Sequence, residues 1–345
     1  MYVIAKPAFS KHNPYISLLY NSVRKHGVRV DKFSLKKIIF GHPDIFHIHW
    51  VENYLGLTIE SKVFAHLKYF LRKLQLIIAK YLGVKIIWTV HNIKSHSNPH
   101  PRLEKKALDW FSSILDGAIY LSPSSAFVAQ DCYPVLKNKP AFIIPHGHYQ
   151  DVYPIKEIDQ KFARKKLGIP ENNKVLLYFG SIKPYKNVPT LIDTFLKCNK
   201  NDTLLIAGEC ESKEIHNEVL TAINGNSRIH FFNRYIDDNE IYLFFSAADF
   251  AIFPFKSILN SGSVLLALSL NVPVIAPSLG GLIELSESLP EWVNLYEGGL
   301  NCTVLDLFTY SATASNTSKR IDLSLYDWDL IGNKTIDAYE SILSS

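Results

Sequence analysis

Along the 345 residues, short β-rich apolar runs alternate with segments of helical length. Alternation of this kind marks βα units and a parallel sheet. In the first half it predicts strands over 2–5, 28–31, 45–49, 85–90, 117–121 and 141–144, with helices over 14–26, 58–82, 103–115 and 124–131. A second series begins after the linker region 148–157. Its strands fall over 175–179, 203–207, 229–232, 250–253 and 274–276, and its helices over 161–167, 188–197, 212–224, 238–248 and 262–270. The tail 325–345 carries Trp328, Ile331, Ile336, Tyr339 and Ile342 at three-to-four spacing, which predicts a closing helix, and 311–318 reads as a polar loop. The pattern gives an α/β protein of two doubly wound domains, 1–150 and 151–324, followed by the helix 325–345. Ligands of such sheets gather at the C-terminal ends of the strands, here also in the cleft expected between the domains.

Two segments of the second domain concentrate chemistry at strand ends. In YFGSIKPYKNVPTLIDTF, residues 178–195, a buried strand ends at Gly180 and a turn bearing Lys183 and Lys186 leads into a helix. Glycine lets the backbone approach a ligand closely. The lysines place cations where phosphates would lie, although a solvated turn would read the same way. In residues 253–285, Ser261, Gly262 and Ser263 open the helix VLLALSL, which is apolar on every side and must be buried. Its N-terminus offers free N–H groups and a positive dipole end, suited to phosphate. The competing reading is a core helix with a serine cap.

The first domain supplies the acid–base candidates. FHIHWVEN sets His47, His49 and Glu52 at or just beyond one strand end, and WTVHN closes the next strand with His91 and Asn92. His47 and His49 share one strand face, and one of the two also reads as a core histidine satisfied by its neighbours. An imidazole can transfer protons or stabilise an oxyanion near neutral pH. The His-x-His pair has no clear third ligand and no Asp-x-Asp motif occurs, so no metal site is predicted.

The order of these motifs resembles the GT-B glycosyltransferases over most of the chain. The match runs through His47-x-His49-Trp50, Thr89-Val90-His91-Asn92, Leu121-Ser122-x-x-Ser125 and Ile144-Pro145-His146-Gly147. It continues with Gly180 and Lys186 six positions apart, Pro273-Val274-Ile275-Ala276 and Gly280-Gly281-x-x-Glu284. The large retaining family has arginine where this chain has Ser181, and two glutamates where it has Ile258 and Leu266. The stretch SGSVLLALSLNVPVIAP is more similar to bacterial exopolysaccharide and β-mannosyl transferases, which leaves retaining or inverting chemistry open. The resemblance implies a donor site of Gly180, Ser181, Lys183, Lys186, Gly208, Tyr235, Ile236, Ser261, Gly262, Ser263 and Glu284. Asn13, His47, His49 and Asn92 stand as acceptor-binding candidates. An inverting enzyme needs one base for the acceptor hydroxyl, for which Glu52 comes first and His91 second. No cofactor is expected, and the final helix is expected to cross back to the first domain. The implied reaction moves a hexose from GDP-mannose or a UDP-hexose to an oligosaccharide or lipid-linked glycan in cell-surface polysaccharide synthesis. A catalytically silent scaffold and a sugar-nucleotide epimerase are the alternatives.

A net charge of +5 fits anionic substrates or an anionic lipid surface. No basic run exceeds three residues, which argues against nucleic acid as a partner. Cys132, Cys198, Cys210 and Cys302 share no CxxC spacing, so neither a zinc site nor a disulfide framework is expected, and a reducing compartment is. The apolar N-terminal run is too short for a signal-peptide core. These readings predict a cytoplasmic protein. Segment 58–82, with Lys62, Lys68, Arg72, Lys73 and Lys80, could lie on anionic lipid at the inner face of the membrane, or serve as an ordinary crossover helix.

Overall fold

The computed structural model describes residues 1–10, 14–95, 99–150, 152–153, 158–198, 201–307 and 320–345. These form two units, Met1–Gly147 with Ser324–Ser345, and His148–Leu323. The first unit contains strands β1 (Tyr2–Lys6), β2 (Arg29–Lys32), β3 (Ile45–Ile48), β4 (Lys85–Val90), β5 (Gly117–Tyr120) and β6 (Ala141–Ile143). Its helices are α1 (Pro14–Lys25), α2 (Leu35–Gly41), α3 (Val51–Leu55), α4 (Lys62–Tyr81), α5 (Pro101–Ile114) and α6 (Pro123–Cys132). The second unit contains β7 (Val175–Phe179), β8 (Thr203–Ala207), β9 (Ile229–Phe232), β10 (Phe250–Ile252), β11 (Val274–Pro277) and β12 (Val293–Tyr296). Around them lie α7 (Gln160–Leu167), α8 (Val188–Lys197), α9 (Lys213–Ile223), α10 (Ile241–Ala247), α11 (Gly262–Ser269), α12 (Leu282–Ser288) and α13 (Cys302–Asp306). Helix α14 (Trp328–Ser344) belongs to the first unit.

Both sheets are parallel throughout, in the orders β2-β1-β3-β4-β5-β6 and β12-β11-β10-β7-β8-β9. Parallel strands are covered by helices on both faces, so they read as unbroken apolar runs. VLLYF of β7 and TLLIA of β8 are buried at every position. Strand order reverses between β1 and β3 in one sheet and between β10 and β7 in the other. Such switch points open a crevice at the strand C-termini, where ligands bind.

Helix α14 completes the core of the first unit. Ile331, Ala338, Tyr339 and Ile342 are buried in one cluster with Tyr15, Ile16, Leu19 and Tyr20 of α1. The 3.6-residue spacing of its apolar positions puts them on one stripe, and α1 supplies the matching surface.

Several elements differ from the sequence pattern. The helix expected over 58–82 starts only at Lys62, and the separate short helix α3 precedes it. Elements α2, α12, α13 and β12 are absent from that pattern; the helices span no more than seven residues, and β12 mixes polar and apolar side chains. The expectation of no disulfide is overturned. Cys198, just past α8, is bonded to Cys302 at the start of α13, with Cα atoms 5.4 Å apart across 104 residues of sequence. Folding brings them together where local spacing gave no sign of it, and the argument for a reducing compartment loses that support. Asn13 and the loop 311–318 lie outside the described residues. Among the described residues no helix is long and apolar enough to cross a membrane.

Candidate functional site

In the second unit the switch point lies where β7 ends at Gly180. Gly180 has φ +128° and Gly208, past the end of β8, has φ +148°, a region that residues with a β-carbon rarely adopt. The two glycines lie against each other, and a β-carbon on Gly208 would run into the carbonyl of Gly180. A β-carbon on Gly180 would stand 2.9 Å from Ser263 Oγ and 3.3 Å from Lys186 Nζ. Three expected donor residues thus converge on one point at the strand end.

Lys186 lies in the turn before α8 and is only 9% exposed. Burial, assisted by the nearby Lys183 charge, lowers its ammonium to about 8. A buried cation with a depressed pKa gains from an anion at hand. Lys183, the other expected cation, is drawn aside, its Nζ 2.8 Å from Glu211 Oε1. Ser181 is exposed, and its carbonyl accepts from the Tyr178 hydroxyl at 3.0 Å.

Helix α11 follows β10. Ser261 caps it, Oγ accepting from Val264 N, so the N–H groups of Gly262 and Ser263 remain at the positive end of the helix. From Val264 to Ser269 the helix is buried, as an all-round apolar sequence requires. The preceding loop is tied to the Gly-Gly turn by Gly281 N donating to Leu259 O at 2.9 Å. Glu284, in the first turn of α12, keeps Oε2 buried. Asn260 Nδ2, which the sequence did not single out, is buried with no hydrogen-bond partner among the described residues. Past β9, Tyr235 is half exposed and Ile236 is buried, so only backbone groups of Ile236 are available to a base. Arg234 is fixed by a two-pronged bond to Glu240 at 2.7 and 2.8 Å.

In the first unit His49 lies just past β3, beside the switch point, and His91 lies just past the neighbouring β4. His49 Nδ1 lies 3.1 Å from His91 Nε2, and Trp50 stacks on His91 with ring centres 4.5 Å apart. His47 and His49 were expected to contact an acceptor, but both are buried and fully engaged. His47 Nε2 meets Thr89 Oγ1 at 2.7 Å, its Nδ1 meets the hydroxyls of Tyr339 and Tyr20, and His49 Nε2 meets Tyr20 OH at 2.6 Å. Alternation on the strand turns both rings inward, leaving His91 and Asn92 as the partly exposed members. Burial pulls the His47 imidazole down to about 3 and holds His49 and His91 well below the usual histidine range.

Glu52 sits in the first turn of α3 and accepts from Asn92 Nδ2 at 3.1 Å. Burial raises its carboxyl to about 7, against the lowering effect of that hydrogen bond. A carboxylate poised near neutrality is suited to general base work. The sequence did not flag Tyr15, whose ring lies edge-on to His91 at 5.0 Å, nor His146, 4.6 Å from Tyr15, as site residues. Among the described residues, no group of three or more His, Cys, Asp and Glu is placed to hold a metal ion.

Known proteins resemble this chain in sequence and in fold. Residues 159–288 match the family described as glycosyl transferases group 1. The GDP-mannose:glycolipid 4-beta-D-mannosyltransferase of Xanthomonas campestris pv. campestris is 30% identical over 324 residues, covering 93% of this chain and 86% of that protein. Among solved structures, Anabaena HepE in complex with UDP and glucose superimposes with a TM-score of 0.70 at 16% identity, covering 99% of both chains. The sucrose-phosphate synthase of Thermosynechococcus elongatus does so with a TM-score of 0.73 at 15% identity, again over 99% of both. These two share the fold, two parallel α/β units of GT-B type. With the curated relative's identity and coverage added, the chain belongs to the glycosyltransferase family of that mannosyltransferase.

Proposed function

We propose that the protein transfers mannose from GDP-mannose to the hydroxyl of a glycolipid acceptor, with the second unit holding the donor and the first supplying the acceptor groups. The observation that carries the donor half is the convergence of Gly180, Ser263 and Lys186 at the start of a buried helix. The choice of sugar and acceptor rests on the printed activity of the Xanthomonas relative. Phosphate charge is met there by one buried ammonium, two helix N–H groups and a serine hydroxyl. That set works without arginine at Ser181 and without the glutamates replaced by Ile258 and Leu266.

A β-mannoside formed from an α-linked nucleotide sugar requires inversion, hence one base. Glu52 takes the proton of the acceptor hydroxyl as its oxygen bonds to the anomeric carbon. The bond from that carbon to the phosphate oxygen breaks, and GDP leaves with its charge stabilised by Lys186 and α11. His91 and Asn92 contact the substrate. Calorimetric titration with GDP, UDP and ADP in chelator tests the donor assignment. Selective micromolar binding of GDP supports it, selective UDP binding moves the donor to a UDP-hexose, and no binding to any of them points to a silent scaffold.

A lipid-linked acceptor also calls for contact with a membrane, and α4 supports one. Val63, Leu67, Phe70, Leu74, Ile77 and Tyr81 recur every three or four residues, forming one exposed stripe; Phe70 is 62% and Tyr81 89% exposed. The opposite stripe, Ala65, Tyr69, Leu76 and Ala79, is buried. Three of the basic residues read from the sequence are engaged by groups of the protein. Arg72 lies over the Phe33 and Tyr54 rings, Lys73 over Trp110, and Lys80 is paired with Asp116. The exposed face is therefore apolar, suited to shallow insertion between lipid headgroups.

A further inference from the structure

The hydrogen bonds behind His91 form a chain whose proton positions can be counted. His47, His49 and His91 are held neutral by burial, so each ring has one N–H and one lone pair. Two phenols meet this chain. Tyr339 OH lies 2.7 Å from His47 Nδ1; Tyr20 OH lies 2.6 Å from His49 Nε2, with Tyr339 and His47 Nδ1, the latter at 3.0 Å, as its other neighbours. A phenol is a better donor than a neutral imidazole N–H, and an imidazole lone pair is a better acceptor than a phenol oxygen. Each hydroxyl therefore donates to its nearest ring nitrogen. His47 is left with its proton on Nε2, facing Thr89 Oγ1 at 2.7 Å. His49 is left with its proton on Nδ1, facing His91 Nε2 at 3.1 Å.

We infer that Tyr20 and His49 are positioning residues that hold His91 as the tautomer protonated on Nδ1, which makes His91 a hydrogen-bond donor to substrate and not the base. This rests on the assignment of His91 to the active site and deepens it. The chain runs inward to Thr89 and to Tyr339 of α14, both buried, with no exposed terminus among its members other than His91. A proton taken up at His91 has no exit through the chain, so the chain is suited to orienting a donor rather than to carrying protons away. The base role then falls to Glu52. Trp50, stacked on the His91 ring, fixes its plane.

Nitrogen-15 spectra of histidine-labelled protein test this directly, with the His91 resonances identified by their loss in His91→Asn. The expected result is a neutral His91 protonated on Nδ1 and bare on Nε2, and a mixture of tautomers in Tyr20→Phe. Tyr20→Phe should also lower kcat about tenfold while leaving both KM values unchanged, since an orienting partner acts on the transition state. A His91 protonated on Nε2 in the wild-type protein overturns the inference, as does an unchanged tautomer in folded Tyr20→Phe. Full activity in His91→Ala would instead overturn the functional reading beneath it, whatever the spectra show.

Discussion

Lys186 Nζ stands 3.3 Å from the point where a β-carbon of Gly180 would sit, so the cation and the bare backbone enclose one small space at the end of β7. A phosphate in that space would touch both. Lys186→Ala should weaken GDP binding by more than about tenfold, because a charge-assisted hydrogen bond contributes roughly 1.5–3 kcal/mol. Gly180→Ala should weaken it as well by filling the space, and should lower stability because φ is +128° there. Calorimetry and thermal melting on both variants check this. Undiminished affinity in folded Lys186→Ala would remove the lysine from the site.

The depressed ammonium gives binding a pH signature. Lys186 in the free protein loses its proton near pH 8, and a bound diphosphate raises that pKa. Affinity should be flat below about pH 8 and fall above it, with protons taken up on binding in that upper range. Titration in buffers of different ionisation enthalpy measures the uptake. Release of protons would contradict the assignment.

Glu52 works in the opposite sense. Its folded pKa of about 7 lies above the ordinary value of 4.5, so the folded state holds this proton more tightly than the unfolded one. The stability it contributes is present below about pH 4.5 and lost as the pH rises through about 7. If Glu52 is the base, activity requires its ionised form, and kcat/KM for acceptor should climb through about pH 7 to a plateau. Glu52→Gln should lose roughly 10²–10⁴-fold in kcat, keep its affinity for GDP, and melt at a higher temperature than the wild type at pH 8. A variant with normal turnover would pass the base role elsewhere.

The stripe on α4 predicts membrane behaviour. Leu67→Glu with Leu74→Glu should abolish sedimentation with lipid vesicles while leaving GDP affinity intact. Because Arg72, Lys73 and Lys80 are engaged on the protein, binding should depend only weakly on the fraction of anionic lipid. Equal sedimentation of the double variant would show that this face is not the one in contact.

The Cys198–Cys302 bond closes a long loop, and such a link stabilises by about 2–4 kcal/mol. Cys198→Ser should therefore lower the unfolding midpoint without reductant and match the wild type in excess dithiothreitol. A difference that persists under reduction would locate the effect in packing instead.

Strands were legible where burial on both faces made them continuous apolar runs, as in β7 and β8. They were not legible at β12, whose four residues VNLY mix polar and apolar side chains at the sheet edge. The turns at Gly180 and Ser261 could be read because glycine and serine have local, specific backbone uses. His47 and His49 could not be assigned, since a strand end exposes or buries a side chain according to what covers it. Here α1 and α14 supply Tyr20 and Tyr339, and both rings turn inward.

The sequence by itself determined the α/β class, the strands of each sheet, and the glycine, lysine and serine turns at the strand ends of the second unit. Those features depend on periodicity and on local backbone chemistry. Tertiary structure alone decided that Lys186 and not Lys183 faces Gly180, that the histidine pair is sealed behind His91, that Cys198 meets Cys302, and that Arg72, Lys73 and Lys80 of α4 are engaged by groups of the protein. Each of these is a contact between side chains far apart in sequence or a choice among several partners. Local spacing carries no information about which of them the folded chain brings within a hydrogen bond's reach.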